Sequence, residues 1–155
     1  MTDIEKAKSI LAGGGLTCVL CRGGEVYTSD QSGIAPMLGF LDRGTDLTGF
    51  SAADKIIGRA AAMLFVLAGV DELSGEVMSR AALPVFEAHR LRCSYGTLTD
   101  RIVNRAGNGI CPMEETVAQI NDPAAALPAL KEKLRILRGG AQKNATAELK
   151  IPHDS

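Results

Sequence analysis

The sequence predicts an α/β protein, a three-layer α/β/α sandwich with a mixed sheet. Three observations predict it. Gly23-Gly24 joins two short strand-like runs. After that hairpin, apolar runs of strand length alternate with helical patterns. One pattern, 50–69, is apolar round most of its circumference, as a helix buried against a sheet would be. The hairpin supplies an antiparallel pair, and the alternation supplies strands covered by helices on both faces.

The elements follow in order. Ile4, Ala7, Ile10 and Leu11 recur at helical spacing and predict a helix over 3–11, ended by Gly13-Gly14-Gly15. The runs 16–21 and 25–28 are the two hairpin strands. The stretch 33–42 predicts a short helix with Pro36 in its first turns. The polar loop 43–49 leads to 50–69, where Ala52, Ala53, Ile56, Ile57, Ala60, Ala61, Leu64, Phe65 and Ala68 keep helical spacing. Ser51 is the expected N-cap of this central helix. Asp54, three residues on, completes a capping-box-like pair, and Gly69 is the stop. A strand is expected within 70–79, clearest at Val77-Met78. A helix over 80–89 must start close before Pro84. A strand over 91–98 and a loop over 100–109 follow. Pro112 suits the first position of a helix to about 120, and another helix covers 123–137. One domain is expected over 1–138. The polar, weakly patterned residues 139–155 predict a flexible tail.

Composition excludes some functions. A net charge of −1 and 4% aromatic residues give no basic footprint for nucleic acid. The longest apolar run, 60–70, is too short to span a bilayer, and the polar start does not resemble a signal peptide. A cytoplasmic protein is expected. Its four cysteines fit reduced thiols there better than a disulfide framework.

Each candidate functional residue also has a plain structural role. Cys18 and Cys21 form a CxxC, but on a strand residues three apart face opposite ways, so they are two small core residues. Cys111 precedes a helix whose N-terminus favours a thiolate, whereas Glu114 and Glu115 favour the thiol. A catalytic Cys111 would need His89 in space, since the only other histidine is His153. Asp54 and Lys55 are an acid/base pair or ligand clamp, or else a cap and a solvated amine. Ser79 and Arg80 stand where a strand leaves the sheet and a helix begins, an edge that commonly binds ligands. Ser51 opens the expected central helix beside them. Asn104 and Arg105 form a polar loop able to close over that edge, or a turn residue and a solvated arginine.

The order of elements, a hairpin followed by helix–strand–helix–strand, is that of the cytidine-deaminase-like fold. In detail the chain resembles an uncharacterised prokaryotic family, the domain of unknown function 1893, placed in that fold. The resemblance covers about 4–134. It is carried by LTCVLCRGGEVYTSDQSGIAPML, FSAADKIIGRAAAML, SRAALPVFEAH and NRAGNGICPMEETV. It implies no assigned biochemistry. Zinc deaminases of this fold need His/Cys-x-Glu at the start of the central helix and Pro-Cys-x-x-Cys at the next. Here Ala53-Asp54-Lys55 and Ser79-Arg80-Ala81-Ala82 take those places, with no histidine or cysteine. Metal and cofactor are therefore not expected. The leading expectation is a small anionic, nucleotide-like ligand held by Lys55, Arg80 and helix N–H groups, with Asp54 on a hydroxyl or amino group. The rivals are an enzyme using Cys111 with Asp54 or Lys55, and a non-catalytic interaction module. Homo-oligomers are what the resemblance implies for the last.

Overall fold

The hairpin forms one side of a sheet that the three later strands extend. The structure, a computed structural model, describes residues 1–103, 107 and 109–145, the last six by backbone alone. Within them the order is α1 (Asp3–Ala12), β1 (Cys18–Arg22), β2 (Glu25–Ser29), α2 (Ala35–Asp42), β3 (Ser51–Ile57), α3 (Arg59–Ala68), β4 (Glu72–Ser79), α4 (Leu83–His89), β5 (Arg92–Thr99), α5 (Pro112–Val117) and α6 (Pro123–Ala145). A 3-10 turn at Arg80–Ala82 precedes α4.

The five strands form one mixed sheet in the order β2-β1-β3-β4-β5. β1 runs antiparallel to β2 and β3, with Cys18 opposite Asp54 and Leu20 opposite Ala52. β3, β4 and β5 are parallel, with Ala52 beside Leu73 and Leu73 beside Cys93. The two faces carry unequal cover. On one, Ala7 and Leu11 of α1 pack on Val19, Cys21 and Ala53. On the other, α2 to α6 share a large core with Cys18, Leu20, Ala52, Leu73 and Met78. Alternation along β1 thus sends Cys18 and Cys21 to opposite faces, as the strand period requires.

The central helix is where sequence and structure part. Residues 51–57 are strand, and α3 begins only at Arg59. Ser51 and Asp54 therefore cap nothing. Ala52 and Ala53 are both buried because both faces of this strand are covered, which erases the two-residue alternation that marks a half-exposed strand. Gly58 is the N-cap, and Gly69 ends the helix at φ +80°, a left-handed backbone that glycine adopts without strain. At the other end of the chain α6 continues through the Gly139-Gly140 pair to Ala145, beyond the expected end at 137. Of the flexible tail expected over 139–155, residues 139–145 are thus helix, and 146–155 lie outside the described residues. Among the described residues no helix is long and apolar enough to cross a membrane.

Candidate functional site

The parallel strands deliver their C-terminal ends, Ile57, Ser79 and Thr99, to one edge of the sheet. In α/β proteins that edge is the usual ligand position, because helix N-termini open there. The first turn of α3 has free backbone N–H groups and no side-chain cap of its own. They are not left open. The Glu114 carboxylate reaches in from α5 and accepts from the Arg59 N–H and the Ala60 N–H, both at 2.9 Å, one on each oxygen. Gly58 makes room for it, since a Cβ there would lie 2.6 Å from Glu114 Oε1. Arg59 in turn donates from Nε to the Val117 carbonyl at 3.0 Å, and from Nη2 to the Ile120 carbonyl and Asn121 Oδ1. The start of α3 and the end of α5 are therefore locked reciprocally.

Asp54 lies in β3, three residues before that lock. It is buried, facing the large core beside Cys18, and its Oδ1 accepts from the Ile56 N–H at 3.3 Å. Three residues on, Ile57 joins the core that Ala52 faces, as Met78 of β4 joins the core that Leu73 faces. Gly75, across from Asp54, leaves the space Ile57 fills; a Cβ there would meet Ile57 Cδ1 at 2.9 Å. Burial pushes the Asp54 carboxyl up to about 7, against the pull of the Ile56 and Lys55 N–H groups and the Cys18 thiol. Burial first, then the neighbouring Asp54, push the Cys18 thiol well above its ordinary range. A sealed thiol and a sealed carboxylic acid are core residues satisfying one another. Lys55, the next residue, is exposed, so Asp54 and Lys55 do not share a pocket.

The other expected residues are dispersed. Ser51 starts β3, about 20 Å from the strand's far end at about 3.3 Å per residue. Ser79 is fully buried, and its hydroxyl accepts from the Ala81 N–H at 3.1 Å, capping the 3-10 turn. Arg80 is exposed and pairs with Asp100 at 3.0 Å. Cys111 is the N-cap residue of α5, half-buried, with no side-chain cap bond. His89 ends α4, which leads back to the start of β5 at the opposite edge, so it does not meet Cys111. His153, Asn104 and Arg105 lie outside the described residues.

Glu114 was the residue that sequence reasoning missed. It reads as a helix's own first-turn acid, matching the dipole of α5, whereas its carboxylate serves a helix more than fifty positions earlier. The glycine before Arg59 was the available signal. The place of the first zinc motif also moves: the first turn of α3 is Arg59-Ala60-Ala61, not Ala53-Asp54-Lys55. The second falls where expected, at Ser79-Arg80-Ala81-Ala82. Neither set holds a histidine or cysteine. Among the described residues, no three of His, Cys, Asp and Glu cluster so as to hold a metal ion.

A mixed five-stranded sheet with helices on both faces and a C-terminal edge closed by Glu114 defines an α/β protein. Residues 6–134 match the sequence profile of TM1506, a domain of unknown function (DUF1893), and the chain belongs to that family. The crystal structure of a DUF1893 family protein (TM1506) from Thermotoga maritima superposes with a TM-score of 0.78. That protein is 24% identical, over 84% of this chain and 89% of its own. A diaminohydroxyphosphoribosylaminopyrimidine deaminase/5-amino-6-(5-phosphoribosylamino)uracil reductase, also from Thermotoga maritima, gives a weak match, with a TM-score of 0.41. It is 13% identical, over 61% of this chain and 35% of that one. No curated protein sequence matches the chain.

Proposed function

We propose that the protein is a metal-independent binding protein that takes up a small anionic, nucleotide-like molecule and does not transform it. The observation that carries the non-catalytic part is Glu114 seated on the first turn of α3. In the zinc deaminases that the fold resembles, this turn supplies a metal ligand and the proton-moving Glu. Here an internal carboxylate takes up its N–H groups, and no neighbouring side chain is a poised nucleophile or base. Asp54 is sealed, Ser79 is spent as a cap, and among the described residues Cys111 has no histidine partner. The ligand's charge is inferred from the exposed cations. Lys55 and Arg80 are exposed near the C-terminal ends of β3 and β4.

Incubation with a panel of nucleosides, nucleotides and sugar phosphates tests this reading. One class should raise the unfolding temperature and be recovered unchanged. Conversion of the stabilising compound would overturn the non-catalytic part, and an unchanged unfolding temperature throughout the panel would overturn the binding part.

A second reading, an assembly module, is favoured by one observation. Ile56 is 52% exposed on the sheet, in register with Val77 and, through it, Thr97. Such a row suits a protein partner, a second copy included. Light scattering showing a monomer at micromolar concentration would count against self-association.

A further inference from the structure

Helices α2 and α6, both packed against α3, are tied by the Lys131–Asp42 ion pair at 2.7 Å. Between them is a cleft of about 610 Å3. It is remote in sequence from the sheet's C-terminal edge, and no expected site residue lines it. Four cations do: Arg43, Lys131, Arg135 and Arg138. The one carboxylate in the lining is Asp42, which Lys131 engages. Arg135 is held at 2.6 Å by Glu132, which does not line the cleft. Among the described residues, Arg43 and Arg138 have no carboxylate within ion-pair distance. The cleft therefore keeps an uncompensated positive charge although the whole chain is slightly acidic.

Arg43 is also preset. Its guanidinium carbon lies 5.1 Å from the centre of the Phe40 ring, and a Cβ on Gly39 would come within 3.2 Å of its Nη1. The side chain thus folds back along α2 over Gly39, a bare patch of the cleft wall. A guanidinium held in this way loses less freedom when it grips an anion. The planar fork of arginine matches phosphate oxygens two at a time. Leu38 and Leu134, both largely buried, give the same cleft apolar wall. Its volume is in the range of about 300–1,000 Å3 typical of small-ligand sites.

We infer that the α2–α6 cleft is a binding site for an organic phosphate of nucleotide size, its phosphates on Arg43 and Arg138 and its uncharged body against Leu38 and Leu134. The inference rests on the binding reading above for the ligand's charge and assigns it a different position. The anion lies between two helices, away from the closed edge.

Isothermal titration of the full chain with ADP and with pyrophosphate tests it, using Arg43→Gln and Arg138→Gln against Lys55→Gln and Arg80→Gln. All four side chains are on the surface, so the variants should fold. The expected result is that ADP binds more tightly than pyrophosphate, and that each cleft variant loses about tenfold or more in affinity, the scale of a hydrogen bond to a charged group. Lys8→Gln, an exposed cation in neither place, should bind as the wild type does. Undiminished ADP affinity in both cleft variants overturns the site. If affinity falls in the edge variants instead, the cleft is overturned and the binding reading survives. If neither compound binds the wild type at millimolar concentration, the cleft site is overturned, and the binding reading falls only if the wider panel above also gives no shift. Equal affinity for pyrophosphate and ADP overturns the role given to the apolar wall.

Discussion

Glu114 and Arg59 hold each other's helices. The Glu114 carboxylate accepts the Arg59 N–H at 2.9 Å, while the Arg59 guanidinium donates to the Val117 carbonyl at the end of α5. Charge-assisted bonds at both ends of this exchange satisfy helix termini that would otherwise be orphaned. Glu114→Ala should therefore lower stability by about 1–3 kcal/mol, the range of a lost cap or a lost bond to a charged group. Denaturant midpoints measure it. Glu114→Gln, which can still accept one bond, should lose less.

Gly58 is required by the same carboxylate. Its φ of −100° suits any residue, so the obstacle to a side chain is the 2.6 Å approach of Glu114 alone. Gly58→Ala should destabilise the wild type by about 1–3 kcal/mol and the Glu114→Ala protein far less. A double-mutant cycle checks the coupling. Additive losses would show that the two positions act separately.

Asp54 makes stability depend on pH in the direction opposite to a salt-bridged aspartate. Its folded value is about 7, against an ordinary 3.8. Below about pH 4 both folded and unfolded chains hold the proton, and burial costs nothing through ionisation. Between about 4 and 7 the unfolded chain releases it first, so stability falls as pH rises. Above about 7 the full penalty stands, roughly 4 kcal/mol at 1.36 kcal/mol per pH unit. Asp54→Asn should therefore gain on the wild type between pH 5 and pH 8. Urea midpoints at both values test this, and a constant difference would contradict it.

The cysteines should divide by accessibility. Cys93 and Cys111 are partly exposed, whereas Cys18 and Cys21 are buried; burial pushes the thiols of Cys18, Cys21 and Cys93 up. Maleimide labelling of the native protein should mark Cys93 and Cys111. Cys18 and Cys21 should appear only on unfolding. Native labelling of Cys18 would show that the Asp54 pocket opens.

Much of this fold is legible where local chemistry decides it. Gly23-Gly24 marks the hairpin, Pro112 and Pro123 open helices, and Gly69 closes one. The failure at 51–57 has a physical cause. Alanines are good helix formers, and Ser51 with Asp54 imitates a capping box. What makes this segment a strand is its pairing with β1 and β4 on either side. The Ile56-Ile57-Gly58 ending carried the contrary signal. The candidate site was less legible, because both decisive juxtapositions are long-range. Glu114 meets α3 only after α5 folds back, and Arg43 and Arg138 line one cleft only once α2 and α6 are both seated on α3. Neither leaves a spacing in the sequence.

The central claim is uptake of a nucleotide-like anion without metal or turnover. Thermal unfolding in a chelating buffer, with and without ADP, tests it most directly when the nucleotide is assayed afterwards. At about 100 times its dissociation constant a ligand adds roughly 2.7 kcal/mol, a shift of roughly 5–10 °C for a chain of this size. The account predicts that shift with ADP recovered intact. An unchanged transition, or ADP consumed, would contradict it.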